Sequence, residues 1–325
     1  MVRLSRRAGW GGCVLVILAL FLPRPGAAQS LTVSQWGALY YGAPYAVALA
    51  KGFFAANHVE VNEIVGGDGG GTTVRNTLAA RLPFGEVSLA AAVEAIRAGL
   101  PIKIVHTGVD SLADFVLVTR PGGPLQSIKD LKGKKIGYTR PGSVTQMAVL
   151  LTLQQARLGP KDAELISVGG VGAVLTAIKN GTIDAAFTGE PLWSQEKNNL
   201  KKIAWLSEVM DPHFTQIVGI VETGYAAQHP EVIRGIIAAR RQGVKYIYDH
   251  PDQAADLVSA AYTQSAPLVR SVFATLTGFK YWSEGRIDTK SMEKMLEGLR
   301  LIGQLSGDVD LKKMIDAQYL PADLR

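Results

Sequence analysis

The sequence predicts an α/β protein of two lobes. Three observations carry that prediction: strand-like and helix-like segments alternate over the first two thirds of the chain, one glycine-rich corner occurs twice, and 325 residues are enough for two cores. The first corner lies in residues 64–87, IVGGDGGGTTVRNTLAARLPFGEV; the second lies in residues 166–188, ISVGGVGAVLTAIKNGTIDAAFT. Each is a short β-branched strand ending in Val-Gly-Gly, a glycine turn, a helix of small residues and a short apolar strand. Glycine lets backbone N–H groups approach a guest, and the positive end of the following helix points to the same place. Two such corners facing each other would clamp a small molecule.

Residues 1–28 read as an export signal. Arg3, Arg6 and Arg7 precede an apolar run from Val14 to Leu22, and Gly26-Ala27-Ala28 supplies small residues for cleavage after Ala28. The run is shorter than the ~20 residues that span a bilayer. Removing these residues takes away four arginines and no acid, so the formal charge falls from +6 to +2. No basic stripe interleaved with aromatics remains, so nucleic acid is not an expected partner. Cys13 is the single cysteine and lies inside the signal; residues 29–325 therefore offer no thiolate for a nucleophile, an iron–sulfur cluster or a zinc site.

Leu31 to Val33 begins a strand, followed by the aromatic loop SQWGALYYG, residues 34–42. Pro44 opens a helix and Gly52 closes it. Aromatics between strand and helix lie on the carboxyl edge of a sheet, where open α/β sheets bind ligands. Residues 59–65 alternate as a strand leading to the first corner, where Thr72 or Thr73 is expected to cap the next helix. The run GGDGGG lacks the dinucleotide spacing, because Thr72 stands where the third glycine belongs. A strand at 84–89, a helix at 90–98 and a strand at 102–106 complete βαβαβαβ, the order of a largely parallel sheet. Residues 114–119 form a further strand, and the polar RPGGP after it marks the first crossing into a second lobe.

KDLKGKK, residues 129–135, reads as a solvated turn before the strand 135–138. Ser143 caps a helix whose apolar positions Val144, Met147, Ala148 and Leu151 share one face, and Gly159-Pro160 ends it. After the second corner come the strand 185–188, the loop Gly189-Glu190-Pro191-Leu192-Trp193 and a strand at 203–206. QIVGIV, residues 216–221, returns to the first lobe, which is therefore discontinuous: 29–116 with 217–325, against 117–216 for the second lobe. Beyond Pro230 the chain is helical. One apolar stripe holds Val232, Ile233, Ile236 and Ile237, another Met295, Leu299 and Ile302; both predict helices packed on the first lobe.

YYGAPYAVALAKGFF at 40–54, the GGDGGGTT corner, AGLPIKIV at 98–105, SIKDLKGKKIGYTRPGS at 127–143 and TAIKNGTIDAAFTGEP at 176–191 occur together and in this order. In these motifs the sequence resembles the periplasmic solute-binding proteins of nitrate/sulfonate/taurine-type ABC transporters, which share a domain with thiamine-pyrimidine precursor binders. The resemblance covers essentially all of residues 29–325. It implies a periplasmic binding protein type II clamshell, two lobes joined by two crossover strands, with C-terminal helices on the first lobe. It also implies a solute held in the cleft by hinge closure, delivery to an ABC permease and its ATPase, docking at the membrane surface without spanning it, and a monomer in the periplasm. By position, the ligand-binding residues would be Trp36, Tyr41, Gly70, Gly71, Thr72, Ser88, Ser143, Thr145 and Glu190. No cofactor or metal is expected.

Glu190 carries the most information about the solute. Facing the cleft, it would repel a nitrate or sulfonate and accept from an N–H donor or a cation. Helix N-termini favour anions, so a solute with both an amine or ring nitrogen and an acidic or carbonyl group would satisfy both signals. Two other functions share this fold. One is an enzyme that makes thiamine pyrimidine from its own histidine with iron, whose cysteine-rich motif is missing here; the other is a ligand-binding partner of a membrane sensor. His58, His106, His213, His229 and His250 are too far apart for a zinc motif, and Ser143 sits in PGSVT rather than in a nucleophile elbow.

Overall fold

The computed structural model describes residues 29–325, so the expected export segment lies outside the described residues. The first half of the chain runs β1 (Ser30–Ser34), α1 (Ala43–Ala50), α2 (Phe53–Ala56), β2 (Glu63–Gly67), α3 (Gly70–Ala79), β3 (Phe84–Ser88), α4 (Leu89–Arg97) and β4 (Ile102–Val109). It continues through β5 (Val116–Thr119), β6 (Lys135–Tyr138), α5 (Val144–Gln155), β7 (Glu164–Ser167), α6 (Val171–Lys179), β8 (Ala185–Thr188), α7 (Leu192–Glu196), β9 (Lys201–Trp205), α8 (Leu206–Val209) and β10 (Ile217–Glu222). The C-terminal part is helical: α9 (Thr223–Gln228), α10 (Pro230–Asp249), α11 (Pro251–Tyr262), α12 (Ala266–Gly278), α13 (Thr289–Leu301) and α14 (Leu311–Met314). Among the described residues no helix is long and apolar enough to cross a membrane.

The strands form two five-stranded sheets, ordered β2-β1-β3-β10-β4 and β7-β6-β8-β5-β9. In the first, β1 lies parallel between β2 and β3, and β10 is inserted antiparallel between β3 and β4. The second repeats the plan, with β6 parallel to β7 and β8, and β5 antiparallel to β8 and β9. The repeated corner is thus the same unit in two equivalent sheets. Sequence order alone implies largely parallel pairing; the antiparallel strand in each sheet is the one that has just arrived from the other lobe.

The two crossings, residues 110–115 and 206–216, are bonded to each other. Gln216 N donates to Val109 O at 2.9 Å, Leu112 N to Pro212 O at 2.8 Å, Thr215 Oγ1 to Asp110 Oδ1 at 2.7 Å and Gln216 Nε2 to Ser111 O at 2.5 Å. Paired backbone here satisfies groups that would otherwise be orphaned between the lobes.

α1, α2 and α10 cover one face of the first sheet through Tyr45, Phe54, Ile233, Ile236 and Ile237, all buried. α11 and α12 extend that layer, adding Val258, Val269 and Phe273 to one buried cluster with Val47 of α1. The α13 stripe reaches further than expected. Met292, Met295, Leu296 and Leu299 join one cluster with Val93 of α4 in the first lobe and Met147 of α5 in the second. Gly298 permits this approach, since a Cβ there would sit 2.1 Å from Met147 Sδ.

A charged network ties the first lobe together from inside. Arg240 of α10, 1% exposed, donates from Nε to Glu86 Oε1 of β3 at 2.5 Å, from Nη1 to Ser283 O at 2.6 Å and from Nη2 to Gly108 O of β4 at 2.7 Å. His106 Nε2 lies 3.7 Å from Glu86 Oε1, and burial together with Arg240 pushes the imidazole down to about 3, so it is neutral.

Candidate functional site

The carboxyl edges of both sheets meet at an interlobe cleft with two neighbouring cavities that share Leu39 and Tyr41. The larger, about 510 Å³, is bounded by the N-termini of α3 and α4, by Val144 at the start of α5 and by Met295 and Leu299 of α13. The smaller, about 160 Å³, lies among Tyr40, Tyr41, Asp114, Thr188, Glu190 and Tyr281. Both therefore take residues from the two lobes, as a clamshell site requires.

Glycine builds the first wall. Helix α3 starts at Gly70 with Gly69 as N-cap and no side-chain cap, which corrects the expectation that Thr72 or Thr73 would cap it. Thr73 instead turns inward, bonding Ser34 Oγ at 2.8 Å and Gly69 O at 2.9 Å. A Cβ at Gly70 would fall 2.4 Å from Ala91 Cβ and 3.1 Å from Ser88 Oγ, so glycine is what lets the α3 and α4 N-termini lie side by side. Ser88 caps α4, accepting from Ala91 N at 3.3 Å, and lines the larger cavity. Neither Gly71, which is exposed, nor Thr72, which accepts from Arg75 Nη2 at 3.0 Å, lines either cavity.

Tyr41 stands between the cavities, stacked on Tyr281 with centroids 6.5 Å apart and planes at 13°. Trp36 packs edge-on against Tyr262, centroids 4.8 Å apart, and over the face of Gly42; it supports the aromatic loop from behind and lines neither cavity.

In the second lobe Ser143 caps α5, accepting from Gln146 N at 3.2 Å, and bonds Thr145 Oγ1 at 2.9 Å. Thr145 in turn accepts from Thr139 N at 3.0 Å and reaches the smaller cavity. The second glycine corner behaves differently. Gly169 and Gly170 are exposed, with nothing near an added Cβ, and line neither cavity. β7, like β2, is the edge strand of its sheet, but in the second lobe the start of α5 after β6 reaches the cavities through Val144 and Thr145 and the glycine corner does not.

Glu190 follows β8 and is 7% exposed, lining the smaller cavity. It accepts from Ser194 Oγ at 3.0 Å and Ser194 N at 3.2 Å. Burial raises its pKa, opposed by hydrogen bonding from Thr275 and Ser194 and by the charge of Lys197. Opposite lies Asp114, 5% exposed and pushed up to about 7 by burial first and by the charge of Glu190 second. Burial, then Asp114, raises the phenols of Tyr41 and Tyr281 above their ordinary value. Two carboxyl groups thus line one small cavity, and the charge of Glu190 favours the protonated form of Asp114.

Sequence reasoning overlooked Asp114, Thr188, Tyr281 and Leu39. Asp114 reads only as the first residue of an apolar strand, and Tyr281 follows a helix some 240 residues from Tyr41. Local pattern carries no sign of such a meeting. Among the described residues no three His, Asp or Glu side chains converge as a metal site.

Two α/β lobes of equal topology, each contributing to one enclosed cleft, define the periplasmic-binding-protein fold. The aliphatic sulphonate binding protein SsuA of Escherichia coli superposes with a TM-score of 0.73 at 15% identity, over 91% of this chain and 94% of that one. Identity that low shows the common fold alone. The chain belongs to the family described as NMT1/THI5 like, whose profile matches residues 40–254. The riboflavin-binding protein RibY of Chloroflexus aurantiacus is 24% identical over 302 residues, 86% of this chain and 82% of the relative. A 4-amino-5-hydroxymethyl-2-methylpyrimidine phosphate synthase of Uromyces fabae is 24% identical over 268 residues, 78% and 76% of the two chains.

Proposed function

We propose that the chain is the extracytoplasmic solute-binding subunit of an ABC importer, which encloses a small organic solute between its lobes and presents the closed form to a membrane permease and its ATPase. The observation that carries this reading is the pair of adjoining cavities walled by both lobes. A ligand touching both lobes favours the closed arrangement through contacts the open one lacks. Of the residues predicted from sequence, Tyr41, Gly70, Ser88, Thr145 and Glu190 are the proposed contacts, with Ser143 holding Thr145. The lobes are 29–116 with 217–325, and 117–216. Residues 1–28 are the proposed export signal, the periplasm the proposed compartment and a monomer the proposed state.

Thermal unfolding of the purified protein against sulfonates, nitrate, pyrimidines, flavins, aromatic acids and amines tests the reading. A ligand at 100 times its Kd stabilises by about 2.7 kcal/mol. Absence of any shift, together with no solute released on denaturation, would remove it.

The synthase names among the relatives favour one second reading, catalysis on a pyrimidine precursor. The missing cysteine-rich motif speaks against the histidine-consuming route. Turnover of a bound ligand during incubation, followed by mass spectrometry, separates the two readings.

A further inference from the structure

The smaller cavity contains more unmet polar capacity than an apolar pocket tolerates. Asp114 Oδ1 and Thr188 Oγ1, on side chains 5% and 1% exposed, have no hydrogen-bond partner. Buried polar atoms are normally paired, and an orphan in a cavity wall is a place where a guest atom belongs. Two carboxylates share the space, and no cationic side chain is among the residues lining it. Lys197, whose charge favours ionised Glu190, is exposed and directs its Nζ to Ser271 Oγ at 2.9 Å. Around the carboxylates stand Tyr40, Tyr41 and Tyr281, whose ring faces attract cations.

Resting on the solute-binding reading, we infer that Asp114 and Glu190 together make this cavity the receptor for a compact N–H-rich cationic head, an ammonium, amidinium or protonated aminoheterocycle, no larger than one aromatic ring. The size limit follows from the volume: about 160 Å³ here, against the roughly 150 Å³ that accommodates benzene in an apolar protein cavity. Thr188 Oγ1 and Asp114 Oδ1 accept from the N–H groups, Glu190 accepts beside its Ser194 bonds, and the tyrosines cover the flat faces. Asp114 is pushed up to about 7 without a guest; a cation between the carboxylates lets both ionise. The rest of the solute extends past Tyr41 into the larger cavity, where the α3 and α4 N-termini face an acceptor or anionic end.

Calorimetry with benzamidine and benzylamine as cationic probes, benzyl alcohol as the neutral one, and benzoate and benzenesulfonate as anions tests the assignment. The cations are expected to bind at least tenfold tighter than the alcohol, and Asp114→Asn and Glu190→Gln each to weaken them at least tenfold. Asp114→Asn is expected to melt no lower than the parent without a probe, which separates loss of binding from loss of fold. Anions binding as tightly as the cations, or an Asp114→Asn protein that keeps its affinity, overturns the cation receptor and leaves the solute-binding reading intact. If no probe binds, the solute released on denaturation decides: one with an N–H cation supports the assignment, one without it overturns the assignment alone, and no solute at all overturns both.

Discussion

Replacing Arg240 by Met should cost more than any surface change, and the reason can be followed atom by atom. The guanidinium is buried, bonded to Glu86 and to the carbonyls of Ser283 and Gly108. Without it Glu86 stays fully buried beside a neutral His106, and breaking a buried pair from one side costs about 3–5 kcal/mol. Ser283 O, left without its donor, adds about 1–3 kcal/mol where water cannot reach it, whereas Gly108 O keeps the bond from Ser283 N at 3.0 Å. Against a total stability of about 5–15 kcal/mol, the variant should sit at the edge of folding. Urea unfolding followed by tryptophan fluorescence measures this directly, since Trp282 adjoins Ser283 and is itself buried. Glu86→Gln together with Arg240→Met should cost clearly less than the sum of the singles, because the double variant buries no charge. The Arg240→Met protein should also regain stability on acidification from pH 7 to 5. Burial already raises the Glu86 pKa, Arg240 lowers it, and a carboxyl with a raised folded pKa loses stability as pH rises. A single-variant cost below about 1 kcal/mol, or strict additivity in the cycle, would show that this is not a desolvated pair.

Asp114, pushed from 3.8 to about 7, takes up protons in the folded state that the unfolded chain has released. Stability should therefore fall by up to about 4 kcal/mol as pH rises from 3.8 to 7 at 1.36 kcal/mol per pH unit, and Asp114→Asn should flatten that part of the stability–pH curve. Gly70→Ala places a methyl against Ala91 and should cost about 1–3 kcal/mol by overpacking while weakening any ligand seated on the α3 N-terminus, read by calorimetry. Gly298→Ala meets the Met147 side chain across the lobes; small-angle scattering should report a more open molecule, and an unchanged radius of gyration would count against α13 as a tie.

Much of the fold is legible because its signals are local. Pro44 and Gly52 bracket α1, Ser143 caps α5 as its position implies, and the 232–237 stripe is the buried face of α10. Propensity favours a threonine as the α3 cap, but the helix already starts at Gly70, which packs on Ala91, and this puts Thr73 inside the first turn with its hydroxyl on Ser34 and Gly69 O. The candidate cavities are legible only where a motif reaches their walls, as at Tyr41, Gly70, Ser88, Thr145 and Glu190. Asp114 and Tyr281 reach the cleft through tertiary folding, and neither periodicity nor turn chemistry marks a residue for that.

The paired crossings also set what motions the molecule has. A single connection would let the lobes swivel and slide; two strands of chain, bonded to each other from Val109 to Gln216 and from Leu112 to Pro212, suppress both. What remains is bending about one line. Because α13 is packed against α4 on one side and α5 on the other, that bend has to shear a helix across a layer of methionine and leucine side chains. Opening would thus be resisted by contacts on a helix that lies outside both crossings, and residues such as Met292 and Leu296, buried in that layer and lining neither cavity, could tune it without altering the cavity walls.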